Sequence, residues 1–188
     1  MMECIYTKMK IIKDSLNRDI LIFDNLFSSA FHNYLYGYVK SLNNYSLGFE
    51  DTDALERLQH KYYTANFDVK ELEETRLFEE IENTELNEFI KDKQLVRATI
   101  NTSLPSQTNF PHTHNRQLSL IYYINPEWKP EWAGETLFYN DDMSEIEFAS
   151  IYKPNRAILF DGHIPHSIRV QSITAPHYRF SLAMFFDK

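Results

Sequence analysis

Histidines are the residues of this sequence with the clearest capacity for chemistry. Five of the seven lie in the second half of the chain: His112, His114, His163, His166 and His177. Imidazole is the commonest metal ligand in proteins and binds in its neutral form near pH 7, so this clustering suggests a metal site. His112 and His114 are one residue apart, and on an extended strand two such rings point to the same side. On its own this pair is more often structural than metal-binding, so the hypothesis depends on what surrounds it.

The second half of the sequence has the alternation typical of β-strands. Short segments rich in β-branched and aromatic residues are separated by Pro, Asn, Asp or Gly. We predict seven strands: Leu95–Asn101, Leu118–Ile124, Glu135–Tyr139, Glu145–Phe148, Arg156–Phe160, His166–Val170 and Tyr178–Phe186. So many short strands in half of a chain predict a sandwich or a barrel-like roll.

The first half of the sequence has mainly helical periodicity. We predict an amphipathic helix over Ser28–Asn43, behind a serine suited to capping it. Its apolar face comprises Phe31, Leu35, Tyr38 and Leu42. A second helix is predicted from Asp51 onward, with Leu55, Leu58 and Tyr62 on one face, and further helix through Val69–Lys91. We therefore expect one α+β domain over residues 1–188, in which a helix-rich part (1–94) supports a β core with the metal site (95–188).

The overall composition argues against several classes of function. Acidic residues outnumber basic ones by 27 to 19, which gives a formal net charge of −8, and there is no basic run. We therefore expect neither nucleic acid nor a membrane surface as a partner. The single cysteine, Cys4, excludes a disulfide within the chain, and the charged N-terminal segment is unlike a signal peptide. These features predict a soluble, cytoplasmic protein and do not predict its oligomeric state.

The order of motifs in the β half resembles that of an enzyme family. After His112 and His114 come the strand LSLIYYIN, the loop NPEWKPEWAGETLF, the segment RAILFDGHIPHSIRV and the final strand HYRFSLAMFF. This order is similar to that of the iron(II)- and 2-oxoglutarate-dependent oxygenases, in particular their prolyl 4-hydroxylase-like branch, with Ala133 where glycine is more usual. The resemblance runs from Leu95 to the C-terminus. It implies a double-stranded β-helix, or jelly-roll, core with Fe(II) as cofactor and 2-oxoglutarate as co-substrate.

The resemblance also implies which residues form the site. In the family a His-x-Asp pair and a distal histidine bind one face of iron, which leaves room for co-substrate and oxygen. His112 matches the first ligand, and His166 matches the distal one. Arg179, on the last strand, matches the basic residue that receives the distal carboxylate of oxoglutarate, a task suited to the forked guanidinium. Tyr123 matches a tyrosine that helps to hold this carboxylate, with a core aromatic as its other interpretation, and Ser181 is a secondary candidate.

His114 is the departure from the family pattern, because it occupies the position of the acidic ligand. A third neutral histidine leaves the metal more electrophilic than an aspartate does. Three interpretations are open: a three-histidine oxygenase, a site in which His114 turns away and water or another carboxylate replaces it, and a site that has lost activity. Asp161 and Glu135 are the candidate substitute acids. We expect His163 and His177 to lie around the site or on the surface.

The function implied by the resemblance is hydroxylation of a C–H bond, coupled to oxidative decarboxylation of oxoglutarate. The branch in question acts on prolyl residues of proteins, so peptidyl proline is the expected substrate. Trp128 and Trp132 lie in a loop that could border the site and pack on a substrate. The alternative is a cupin-like three-histidine metal protein, either an oxoglutarate-independent dioxygenase or a non-catalytic binding module. Arg179 discriminates the two, because only the oxoglutarate enzyme needs it.

Overall fold

The fold consists of two antiparallel β-sheets with helices packed against the larger one. The computed structural model describes residues 8–49, 61–67, 69–105, 110–114, 116–175 and 178–188. The strands are β1 (Lys8–Lys13), β2 (Asp19–Asp24), β3 (Ser46–Phe49), β4 (Lys61–Phe67), β5 (Leu95–Ser103), β6 (Gln117–Tyr123), β7 (Thr136–Tyr139), β8 (Ile146–Ser150), β9 (Arg156–Asp161), β10 (His166–Ile168) and β11 (Arg179–Asp187). The helices are α1 (Ser29–Ser41), α2 (Val69–Glu74), α3 (Leu77–Glu82) and α4 (Asn87–Ile90).

The two sheets differ in size and face each other across an apolar cluster. The larger sheet has the strand order β1-β2-β9-β6-β11-β5-β4-β3, and the smaller has the order β10-β7-β8. Every pairing between neighbours is antiparallel. The cluster includes Tyr123 and Ile158 from the larger sheet and Phe138 from the smaller. All seven strands predicted for the second half are present, with small shifts at their ends, and the predicted α+β fold with a jelly-roll core is confirmed.

Strand β11 shows how sequence alternation serves both faces of the larger sheet. All of its residues except Asp187 are buried. One set belongs to the apolar core against the helices: Phe180, Leu182, Met184 and Phe186. The alternate set lines a cavity between the two sheets: Arg179, Ser181, Ala183 and Phe185. The polar residues of an otherwise apolar strand therefore face the interior of the roll.

The first predicted helix is present as α1. The Ser28 hydroxyl caps it by accepting a hydrogen bond from the backbone N–H of Phe31 at 3.1 Å. Leu35 and Val39 are on its buried face and join the core against the larger sheet. None of the helices in the described ranges has the length and apolar character needed to span a bilayer.

The predicted helical stretch from Val69 to Lys91 is divided into three short helices. Arg76 separates α2 from α3, because its backbone adopts the left-handed conformation with φ 62°. An α-helix cannot continue through such a residue.

The description of residues 1–94 as helix-rich is incomplete, because four strands of the larger sheet come from this part. None of β1 to β4 is predicted from the sequence. The sequence of β1, KMKIIK, is rich in lysine, and lysines on an edge strand protect the edge while they obscure its apolar alternation. The second predicted helix, from Asp51 onward, falls on residues outside the described ranges as far as residue 60. Its final part is wrong, since Tyr62 belongs to β4.

Candidate metal centre

Three histidines from two separate segments meet in the wall of the cavity between the sheets. His112 and His114 precede β6, and His166 is the first residue of β10. One ligand nitrogen from each ring lies within 4.8 Å of the other two. This is the only group among the described residues that has the donors and spacing to hold a metal ion. The predicted metal ligands are therefore brought together, His114 included.

Backbone hydrogen bonds hold the two histidine segments in place. His112 and His166 form an antiparallel bridge in which each backbone N–H donates to the carbonyl of the other at 3.0 Å. The N–H of His114 donates to the carbonyl of Gly162 at 2.7 Å, and the N–H of Gly162 donates to the carbonyl of Gln117 at 2.9 Å. A Cβ atom at position 162 would lie 2.2 Å from the His114 carbonyl oxygen. Only glycine permits this close approach.

The rings of His112 and His166 are oriented by hydrogen bonds within their own segments. Nδ1 of His112 lies 2.9 Å from the carbonyl oxygen of Phe110, and Nδ1 of His166 lies 2.9 Å from that of Ile164. Since a carbonyl oxygen only accepts, Nδ1 carries the proton in both rings. Nε2 is then the nitrogen that each ring presents to a metal.

The His114 ring is held by packing, because no hydrogen bond from its side chain occurs within the part of the chain described here. It packs against the ring of Phe185, with 4.6 Å between centroids. Burial, together with smaller contributions from the nearby His112 and Arg97, lowers the pKa of His114 to about 3. Burial also lowers the pKa of His166 well below its usual value. Both rings are therefore neutral at pH 7, which is the form that binds a metal ion.

Arg179 lies in the same cavity as the histidines and is only 1% exposed. Its Nε donates to the carbonyl of Gly134 at 2.8 Å, and its Nη1 donates to the hydroxyl of Ser181 at 3.2 Å. Its guanidinium lies over the rings of Tyr152 and Tyr123, at 4.9 and 5.4 Å from their centroids. Nη2 is buried and has no hydrogen-bond partner among the described residues. The orphaned N–H groups on a buried cation fit a carboxylate ligand.

The loop between β6 and β7 supports Arg179. Gly134 has φ 83°, and a Cβ atom there would lie 3.2 Å from Cδ of Arg179. Ala133 has φ 55° and ψ −144°, a conformation that strongly favours glycine, which explains why glycine is more usual at this position. Trp128 donates its indole N–H to the Ala133 carbonyl at 2.8 Å. Trp128 and Trp132 are both buried in the apolar cluster, so in this structure they pack against the protein.

Tyr123 is fully buried and reaches the cavity through another residue. Its hydroxyl is 2.7 Å from Oγ1 of Thr136, to which it donates, and 3.2 Å from the carbonyl oxygen of Ser150. Its ring stacks on that of Tyr152, with 4.3 Å between centroids. Thr136 lines the cavity, whereas Tyr123 is not among the described residues that do so. Direct contact between Tyr123 and a co-substrate stays a prediction.

Four polar residues that are not identified from the sequence also line the cavity: Asn101, Ser119, Thr136 and Ser167. Oδ1 of Asn101 and Oγ of Ser119 are buried and have no hydrogen-bond partner in the described ranges. Strand register could have found two of them, because Asn101 pairs with Ser181 and Ser119 pairs with Phe185. Thr136 directly follows the Gly-Glu pair of the motif loop.

Asp161, Glu135 and His163 are not part of the three-histidine group. Asp161 accepts a hydrogen bond from Nζ of Lys188 at 2.6 Å and lies 2.9 Å from Nδ1 of His163, which is on the surface. Neither Asp161 nor Glu135 belongs to the group that could hold a metal. His177 lies outside the described residues. The structure thus offers three histidines and no carboxylate as metal ligands within the ranges it describes.

A sequence comparison shows which family the β core is similar to. A sequence model of the 2OG-Fe(II) oxygenase superfamily matches residues 98–187, which extend from β5 to the end of β11. The matched segment contains the three histidines and Arg179. No curated protein matches the sequence significantly.

Solved structures with the same fold include several oxygenases. A prolyl hydroxylase from Trichoplax adhaerens, in complex with a hypoxia inducible factor peptide fragment, has a TM-score of 0.63 at 14% identity, over 89% of this chain and 83% of that one. A Pseudomonas putida prolyl-4-hydroxylase has a TM-score of 0.60 at 12% identity, over 92% of this chain and 95% of that one. HygX from Streptomyces hygroscopicus, with nickel and 2-oxoglutarate bound, has a TM-score of 0.65 at 10% identity, over 89% of this chain and 82% of that one. At these identities the likeness shows the fold. By sequence over its β core and by fold over most of its length, the chain therefore resembles the 2OG-Fe(II) oxygenase superfamily, whose cofactors are Fe(II) and 2-oxoglutarate.

Proposed function

We propose that this protein is an Fe(II)- and 2-oxoglutarate-dependent dioxygenase that hydroxylates a C–H bond, with His112, His114 and His166 as its iron ligands. Arg179 is the observation that carries the proposal. Its guanidinium is fully buried in the cavity that the three histidines line, and its Nη2 has no partner in the described part of the chain. A buried guanidinium with unpaired N–H groups is costly, and the carboxylate of a bound molecule removes that cost.

Different residues of the cavity bind the co-substrate and exclude water. The guanidinium of Arg179 receives the distal carboxylate of oxoglutarate, which sets how far the co-substrate reaches toward the histidines. The rings of Phe185 and Phe160 pack on His114 and His166 and exclude bulk water from that side of the site. Iron, when bound, supplies the oxygen activation that couples decarboxylation of oxoglutarate to hydroxylation of the substrate.

The third histidine changes the charge of the site in a direction that favours the co-substrate. Three neutral imidazoles leave the full double positive charge on iron(II), whereas an aspartate cancels half of it. The site then attracts dianionic oxoglutarate more strongly than a site with an aspartate ligand, which favours its binding electrostatically. The position of His114 within the histidine group supports the three-histidine interpretation.

For the substrate, we propose a prolyl residue in a protein or peptide. The support is analogy of fold: two of the similar structures are prolyl hydroxylases, and one of these is a complex with a peptide fragment. Otherwise identical peptides with proline, lysine or asparagine at the centre test it by mass spectrometry after incubation with iron(II), oxoglutarate and oxygen. A gain of one oxygen atom on the proline peptide alone supports the proposal, and oxidation of another peptide or of none overturns it.

The test of the oxygenase function is anaerobic addition of iron(II) and 2-oxoglutarate, followed by visible absorption. We expect the weak charge-transfer band of chelated oxoglutarate, and its loss in His112→Ala and His166→Ala. Arg179→Lys keeps the charge but removes the forked guanidinium, so it should weaken oxoglutarate binding at least about tenfold while iron affinity changes little. Absence of the band, or a band indifferent to Arg179→Lys, favours the cupin-like three-histidine protein instead.

A further inference from the structure

Ser119 is a buried polar residue in an apolar strand. It is 1% exposed, and its neighbours in β6 include Leu118, Leu120 and Ile121. Its Oγ has no hydrogen-bond partner among the described residues, although it lines the cavity that contains the histidines and Arg179. A buried hydroxyl without a partner destabilises a folded protein, and alanine would occupy nearly the same space without that cost. An unpartnered group of this kind points to a ligand.

The register of the larger sheet places Ser119 beneath the metal ligands. Ser119 pairs with Phe185 of β11 on one side and with Phe160 of β9 on the other. The ring of Phe185 contacts His114, and the ring of Phe160 contacts His166 at 4.7 Å between centroids. Ser119 therefore lies between the two aromatic side chains that support two of the three ligand rings.

We propose that Ser119 is a ligand-binding residue of the site. Its hydroxyl donates a hydrogen bond to an oxygen atom of a molecule that binds beside the metal ion held by the three histidines. The inference rests on the proposed function and deepens it. A serine hydroxyl is both donor and acceptor, and the groups that complete such a site are oxygen donors: a water molecule or a carboxylate of the co-substrate. Neither the family resemblance nor residue type singles out this serine.

The two sources of the oxygen atom are separated by two titrations of Ser119→Ala. The first measures iron(II) alone by anaerobic competition with a chelator. The second measures 2-oxoglutarate binding to the iron-loaded protein by the charge-transfer band. We expect binding to be about tenfold weaker in at least one titration, which is the effect of one buried hydrogen bond to a charged ligand group. A loss in the first assigns the partner as water, and a loss confined to the second assigns it as a carboxylate.

Ser150→Ala is the matched control. Ser150 is also fully buried, but its Oγ accepts a hydrogen bond from Nη1 of Arg156 at 3.4 Å and it is not among the described residues that line the cavity. This variant should bind iron and oxoglutarate like the wild type. Ser119→Thr keeps the hydroxyl and should bind more tightly than Ser119→Ala.

The thermal stability of the metal-free protein distinguishes a binding role from a structural one. Removal of an unpartnered hydroxyl should leave the Tm of Ser119→Ala unchanged or raise it by about 1–3 °C. Affinities within twofold of wild type in both titrations, or a clear fall in Tm, would overturn the role of Ser119. If the wild type itself binds neither iron nor oxoglutarate, the proposed function fails and this inference fails with it.

Discussion

Replacing Gly162 by alanine would introduce a methyl group between two segments of the metal site. The new Cβ would lie 2.2 Å from the His114 carbonyl oxygen and 2.8 Å from that of Gln117, where ordinary contacts are 3.4–4 Å. Both obstructing atoms belong to the backbone, so no side-chain rotation relieves the clash. The two segments must separate by about 1 Å or more. That movement stretches the hydrogen bonds of 2.7 and 2.9 Å that Gly162 makes with His114 and Gln117.

The expected cost follows from these contacts. Two weakened backbone hydrogen bonds contribute about 1 kcal/mol each, and overpacking adds about 1–3 kcal/mol. We therefore expect Gly162→Ala to reduce the free energy of unfolding of the metal-free protein by about 3–5 kcal/mol. For a chain of this size the Tm then falls by roughly 6–20 °C. Displacement of His114 should also weaken iron(II) binding by at least about tenfold.

The assay combines thermal unfolding without metal and anaerobic iron(II) titration. Gly37→Ala is the control, because a Cβ atom at position 37 has no heavy atom within 4 Å and lies inside α1. It should stabilise the protein by about 0.5–1 kcal/mol and leave iron binding unchanged. In a His114→Ala background, Gly162→Ala should add little to the loss of iron affinity, since both changes act through the same ligand. A Gly162→Ala protein that matches the wild type in Tm and iron affinity would refute the reasoning.

Three further predictions concern the residues around this centre. The pKa of His114 is about 3 in the folded protein against 6.5 for a free histidine, so the unfolded chain takes up the proton first as pH falls below 6.5. The free energy of unfolding of the metal-free protein should therefore drop by ~2 kcal/mol between pH 7 and pH 5 because of His114. Denaturant unfolding at a series of pH values should show that this part of the pH dependence is missing in His114→Ala. Ala133→Gly should raise the free energy of unfolding by about 1 kcal/mol, because it relieves a backbone conformation that disfavours alanine; a less stable variant would contradict this. Tyr123→Phe removes the hydroxyl that bonds Thr136, so it should cost about 1 kcal/mol in urea unfolding and weaken oxoglutarate binding several-fold. If oxoglutarate binding is unchanged in Tyr123→Phe, Tyr123 contributes to stability and not to binding of the co-substrate.

Residue type and order along the chain predict those site residues whose function requires a particular kind of side chain. His112, His166 and Arg179 can be identified in this way, because metal and carboxylate binding each require a narrow set of side chains. The strands of the second half can also be predicted, since a strand buried on both faces keeps its apolar residues even where polar ones face the cavity. β11 is the clearest case, with Arg179 and Ser181 on one face and core residues on the other.

Features that depend on a distant partner cannot be predicted from one sequence. Gly162 has no special backbone dihedral, and its importance comes from His114, which approaches it from another segment. Serine is a common residue type, and the sequence does not show that Ser119 lies near the metal site. Only the register of β6 with β9 and β11 places it there. β1 and β4 escape prediction for a related reason, because the neighbouring strands in the sheet stabilise them more than their own alternation does.

The bridge between His112 and His166 indicates in which order the protein folds and binds metal. Four strands, β6 to β9, lie in sequence between these two residues, and β9 also pairs with β2 near the N-terminus. Contacts between such distant segments form late in folding, because the closure of long loops must come first. Iron therefore cannot nucleate the fold in the way that zinc organises a small finger domain. We therefore expect the metal-free chain to be folded, so that the proposed iron(II) site can fill without refolding of the protein.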